Sequence, residues 1–166
     1  MRLHKGPVGV PIARFNLELE VNEDHRIGCA YHEAGHAVVA NALGLKIGRI
    51  EIAIDGDDAK GGCDIEAEQS HLSIIDKIAI CAAGIEAQLL FDAPTHEYAG
   101  LSDHGKIREL VSNLADHEGD AIRELGHSRA RDLLIIQTDQ VQTIVKILMK
   151  TGRIAGEEAD ALFKAR

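Results

Sequence analysis

Tryptophan is absent from this sequence, and Phe and Tyr together supply only 3% of it. A core without large aromatic rings must be built from Ile, Leu, Val and Ala, and that composition favours packed helices over a β-sandwich. Basic runs are missing as well. Lys and Arg number 18 against 27 Asp and Glu, a formal net charge of −9, which argues against a general nucleic-acid binder because phosphate backbones need a basic face. Long apolar stretches are also lacking: those at residues 37–40 and 78–83 fall far short of the roughly 20 residues of a membrane span. The opening Met1-Arg2-Leu3-His4-Lys5-Gly6-Pro7 has no apolar core of the kind a signal peptide carries. Cysteine occurs three times, at Cys29, Cys63 and Cys81, without CxxC spacing. These read as reduced thiols of a cytoplasmic protein, acting as small buried apolar residues.

What is present fits one domain: 166 residues, 45% apolar and 27% charged. Residues 1–22 read as an N-terminal arm, in which Phe15-Asn16-Leu17-Glu18-Leu19-Glu20 alternates like a short strand. The remaining residues, 23–166, read as the domain proper. Asn22 or Asp24 can cap a helix that runs to about Leu43 and stops at Gly44. Ile50, Ile52 and Ile54 then alternate with Glu51, Ala53 and Asp55, the period of a half-buried strand. A Gly- and Asp-rich turn over 56–62 leads to a return strand at 63–67. Ser70 or Ser73 caps a second long helix that ends before Asp92, and another runs from about Asp103 to His117. Gly119 and Gly126 punctuate the following stretch, a late helix covers about 128–150, and a short one opens at Gly156. The expected fold is mainly α, with one small β-hairpin or sheet.

His32-Glu33-Ala34-Gly35-His36 is an HExxH motif inside the first helix. Residues at i and i+4 project from one helix face a turn apart, so both imidazoles can reach a single ion. Glu33 points slightly aside, where it can take a proton from a metal-activated water without ligating the metal. Zn2+ is the ion such a motif suits, and a catalytic site takes a third protein ligand and leaves one position for water. A metzincin would need Gly at 39 and His at 42, and these are Val39 and Ala42. A thermolysin-like site would take a Glu from a later helix, for which Glu86 is the best placed. Cys29 shares the helix face of His32 and His36 and reads as core packing.

Three segments also resemble the FtsH peptidase domain. The run from Ala30-Tyr31-His32-Glu33 through Gly35-His36-Ala37-Val38-Val39 looks like that family's zinc helix. Ala83-Gly84-Ile85-Glu86-Ala87-Gln88 resembles its second helix, and Gly100-Leu101-Ser102-Asp103 its aspartate-bearing loop. The similarity extends over about residues 25–164, with Gly156-Glu157-Glu158 in the tail. It implies a helical peptidase domain with Asp103 as the third zinc ligand; a plain helix cap is the other reading of Asp103, and His104 a substitute ligand. Two positions depart from the family pattern: Ile85 stands for an arginine, and Gln88 for a glutamate that partners the zinc site. The stretch from glycine to Asp103 is one residue shorter. The family's ATPase module and membrane spans have no counterpart here, since no GxxxxGK[ST] loop occurs. The resulting expectation is an ATP-independent zinc metallopeptidase of the cytoplasm, acting on peptides or unfolded protein segments laid against the strand at 49–55. The family's hexamers make a homo-oligomer conceivable. The alternative is a catalytically vestigial zinc-containing module that binds a protein partner.

Overall fold

The computed structural model describes the backbone of residues 12–55, 58–95 and 100–164, and the side chains of 23–53, 60–95 and 100–164. The elements run α1 (Ile12–Ala42), β1 (Ile47–Asp55), β2 (Asp58–Ile65), α2 (Ile74–Leu90), α3 (Leu101–Val111), α4 (Asp116–Ile136), α5 (Thr138–Thr151), β3 (Arg153–Ile154) and α6 (Gly156–Lys164). The chain is thus mainly helical, with one small antiparallel sheet in the order β2-β1-β3.

Helix α1 is the centre of the molecule. Its residues 33–40 are buried without interruption, so the helix has no solvent face there and reads as a core element rather than an amphipathic one. It packs against α2, α4, α5 and both long strands. At its end Gly44 takes φ 87°, the left-handed conformation that glycine adopts without a Cβ penalty. The helix begins at Ile12, which corrects the reading of residues 15–20 as a strand-like arm. Six alternating residues are a weak signal, and Leu17, Glu18, Leu19 and Glu20 are good helix formers.

The alternating isoleucines do form a strand. Ile50 and Ile52 are buried, and a register shift between Ile47 and Ile50 lets Ile47, three residues away, face the core as well. The expected turn over 56–62 is shorter in the structure, because Ala59, Lys60, Gly61 and Gly62 pair with β1. Residues 56–57 lie outside the described set. The Ser73 side chain accepts from the Asp76 N–H and so caps α2.

The later helices divide differently from expectation. One ends at Val111, and α4 starts at Asp116 and runs straight through Gly119 and Gly126. Gly126 does not break α4; it lets α2 come close, since a Cβ there would fall 2.3 Å from Ile78 Cγ2. The expected helix over 128–150 is split at Gln137 (φ −107°, ψ 21°). Strand β3, absent from the sequence reading, adds Ile154 opposite Ile50. Among the described residues, no helix is long and apolar enough to cross a membrane.

Candidate metal centre

The two histidines of the motif sit where α1 is crossed by α2, and small residues make that crossing tight. A Cβ on Gly35 would lie 2.4 Å from the Ala83 carbonyl oxygen and 2.7 Å from Ala87 Cβ. On α2, a Cβ on Gly84 would lie 2.5 Å from the His32 ring. Glycine at both positions therefore lets the helices approach and leaves room for the imidazole. Asp103 arrives from the first turn of α3, which opens after Gly100 at φ 74°. Although 67 residues separate it from His36, it is buried beside both rings.

The donor atoms converge. His32 Nε2 and His36 Nε2 are each 3.2 Å from Asp103 Oδ2, and 3.1 Å from each other. The outer partners dictate what these atoms carry. Gln88 donates through Nε2 to the carbonyls of Gly28 and Pro94, both at 3.1 Å, which fixes its amide orientation. Its Oε1 then faces His32 Nδ1 at 3.2 Å, so that nitrogen must donate. Likewise His36 Nδ1 donates to the Ile80 carbonyl at 2.8 Å. In the neutral rings both Nε2 atoms are consequently lone-pair acceptors. Two imidazole lone pairs and a carboxylate oxygen therefore point at one another.

Such an arrangement is repulsive unless a proton or a cation lies between the three atoms. Their spacing suits a cation: a tetrahedral ion about 2.0–2.1 Å from each donor would hold them about 3.3 Å apart. His32, His36 and Asp103 are also the group of metal-ligating side chains whose atoms lie mutually close among the described residues. The residues present thus fit a divalent ion in both chemistry and spacing.

With no ion between the three atoms, a proton on a ring Nε2 relieves the same repulsion, and the electrostatics describe that state. Burial disfavours the charge on Asp103, but hydrogen bonds from His32 and His36 outweigh it and hold the carboxyl well below its ordinary range. For His36 burial works downward, and the hydrogen bond and charge of Asp103 prevail and raise it. The second oxygen of Asp103 accepts from Lys106 Nζ at 3.1 Å.

Glu33 lies beside this triangle, buried, on the wall of a cleft of about 420 Å³ that also exposes His32, His36, Asp103 and Lys106. Burial pushes its carboxyl above the usual value, partly offset by His36 and His32. Strand β2 passes close by: a Cβ on Gly61 would fall 2.5 Å from Glu33 Oε1. The three cysteines, far apart in sequence, all line the same cleft. Burial, followed by the charge of Glu33, pushes the Cys29 thiol up to about 12, and Cys29 is not part of the converging triangle.

The other carboxylate considered from sequence, Glu86, faces α4. It accepts from His127 Nδ1 at 2.7 Å and from Arg131 Nη2 at 2.9 Å. His104 is exposed on α3 and is not part of the triangle. Sequence reasoning missed Lys106 and the shared location of the cysteines. The three-residue spacing of Asp103 and Lys106 on a helix was a usable signal for the first; nothing local signals the second.

No protein-family model matches this chain, and no curated protein matches it.

Proposed function

We propose that this chain is a zinc-dependent peptidase of the HExxH type that hydrolyses peptide bonds in peptides or unfolded protein segments without ATP. The observation that carries the reading is the convergence of His32 Nε2, His36 Nε2 and Asp103 Oδ2 within 3.2 Å next to a buried carboxylate that is not one of the three. A purely structural metal site has no need of Glu33. The resemblance of the same segments to the FtsH peptidase domain supports the assignment of Asp103 as third ligand.

When bound, zinc would polarise the scissile carbonyl and acidify a water. The chain's own groups do the rest. Glu33 removes a proton from the attacking water as its oxygen bonds to the carbonyl carbon. It returns that proton to the departing nitrogen as the C–N bond breaks, leaving a carboxylic acid and an amine. Gln88 and the Ile80 carbonyl hold the imidazoles in the tautomer that presents Nε2. The strand at 49–55, the expected resting place of substrate, is paired on both sides. Strand β2 is instead an edge of the sheet and its Gly61, Gly62 and Cys63 line the cleft, so an extended peptide can be held by main-chain hydrogen bonds beside Glu33.

The test is Glu33→Gln, which keeps size and most hydrogen bonding but cannot accept a proton at neutral pH. The variant should retain its zinc and fold while losing hydrolysis by about 10²–10⁴-fold on an unfolded protein or peptide library. Activity that survives the substitution would overturn the mechanism. Zinc uptake with no cleavage by the unaltered protein across a broad substrate panel would favour the protein-binding module instead.

A further inference from the structure

Asp103 divides its two oxygens between different tasks. Oδ2 is shared by the two imidazole nitrogens, and Oδ1 accepts from Lys106 Nζ at 3.1 Å. Lys106 lies three residues on, so both side chains leave the same face of α3. An ordinary i,i+3 ion pair joins two solvated side chains and does little. This pair differs in that its acid is only 12% exposed and belongs to the site, while its lysine is 60% exposed and reaches in from the cleft.

We propose that Lys106 is a positioning residue for the metal: it occupies Oδ1 so that Asp103 offers the ion one oxygen instead of two. This rests on the metal reading of the site. A carboxylate free at both oxygens can swing to chelate an ion with both, which adds a ligand and fills the position a water or substrate carbonyl would use. With Oδ1 held by an ammonium, Oδ2 stays on the two rings and one coordination position stays open. The ammonium also withdraws charge from the carboxylate, so the bound ion remains a stronger Lewis acid. Since the lysine stem is largely solvent-exposed, its replacement leaves the core undisturbed.

The test compares unaltered protein, Lys106→Met and Lys106→Arg, with zinc affinity measured by competition against a chromophoric chelator and the visible spectrum recorded after loading with Co2+. The methionine variant should show a zinc affinity changed by about 10-fold or more and weaker cobalt d–d bands, as added coordination produces. Arginine, which can still donate to Oδ1, should restore both. A methionine variant that matches the unaltered protein in affinity and cobalt spectrum would overturn the proposal, as would an arginine variant no closer to the unaltered protein than methionine is. The unaltered protein is titrated in the same series, so failure of the metal reading itself appears separately, as no uptake by any of the three.

Discussion

At the scale of residues, two carboxylates with similar sequence credentials have opposite surroundings. Asp103 meets two imidazole nitrogens and Glu86 meets His127 and Arg131. Asp103→Ala should therefore abolish tight zinc binding, whereas Glu86→Ala should leave zinc bound and cost stability. The expected loss for Glu86→Ala is about 1–2 kcal/mol, less than for a sealed ion pair because Arg131 is half exposed and can return to water. Hydrogen bonds and charge from His127 and Arg131 hold the Glu86 carboxyl below its ordinary 4.5, against the effect of burial. A depressed folded pKa stabilises fully above the unfolded value, and that contribution disappears as pH falls through the folded pKa. The stability difference between unaltered protein and Glu86→Ala should accordingly be full at pH 7 and shrink below about 4.5. Chelator competition and urea unfolding at the two pH values measure both effects; a Glu86 variant that loses its zinc would redirect the site to α2.

At the scale of elements, the interfaces of α2 with α1 and with α4 both depend on glycine, with different consequences. Gly84→Ala puts a methyl 2.5 Å from the His32 ring, so the imidazole must turn away from Gln88 and Asp103. Zinc affinity should fall at least about 10-fold. Gly126→Ala puts a methyl 2.3 Å from Ile78 Cγ2, at a contact remote from the ligands in sequence and on the α4 side of α2. It should cost about 1–3 kcal/mol by overpacking and leave zinc affinity nearly unchanged. Thermal unfolding and zinc titration of the two variants separate a site-supporting contact from a packing contact, and equal loss of zinc in both would remove the distinction. These glycines also show why parts of the chain were hard to read. Gly126 resembles punctuation until α2 is seen against it, and Gly61 resembles a turn residue until Glu33 is seen behind it. The Gly44 stop of α1, the isoleucine strand and the Ser73 cap rest on local periodicity and capping, so they were legible. The start of α1 was not, because Asn22 and Asp24, the expected caps, lie inside a helix that begins at Ile12. The convergence of Asp103 with His36 and the outward turn of Glu86 toward α4 depend on how helices rotate against one another, and no local pattern records that.

At the scale of the whole molecule, a central helix bearing two of the three candidate ligands is flanked by a sheet whose β2 edge borders the cleft. The pairing pattern assigns the hydrogen-bonding groups of that edge. Ile52 N–H bonds to the Gly152 carbonyl at 2.8 Å, on the β3 side of β1. In an antiparallel sheet the N–H and C=O groups of successive residues point to alternate sides, so Glu51 and Ala53 turn toward β2. Their partners Gly62 and Lys60 turn back toward β1, and Gly61 and Cys63 therefore direct their backbone groups away from β1, on the edge that borders the cleft. If substrate adds there as a further strand, Cys63 N–H is a donor to it. Cys63→Pro removes that donor without removing a rung of the β1–β2 ladder, a place where an edge strand tolerates proline. The loss of one main-chain hydrogen bond of about 0.5–1.5 kcal/mol, with some added misalignment, should lower kcat/KM for an extended peptide by about 3–30-fold. Zinc content should not change. Cys63→Ala supplies the control, because it loses the thiol and keeps the N–H, and it should cleave nearly as the unaltered protein does. Equal kcat/KM for the proline and alanine variants would exclude the β2 edge as the substrate's resting place.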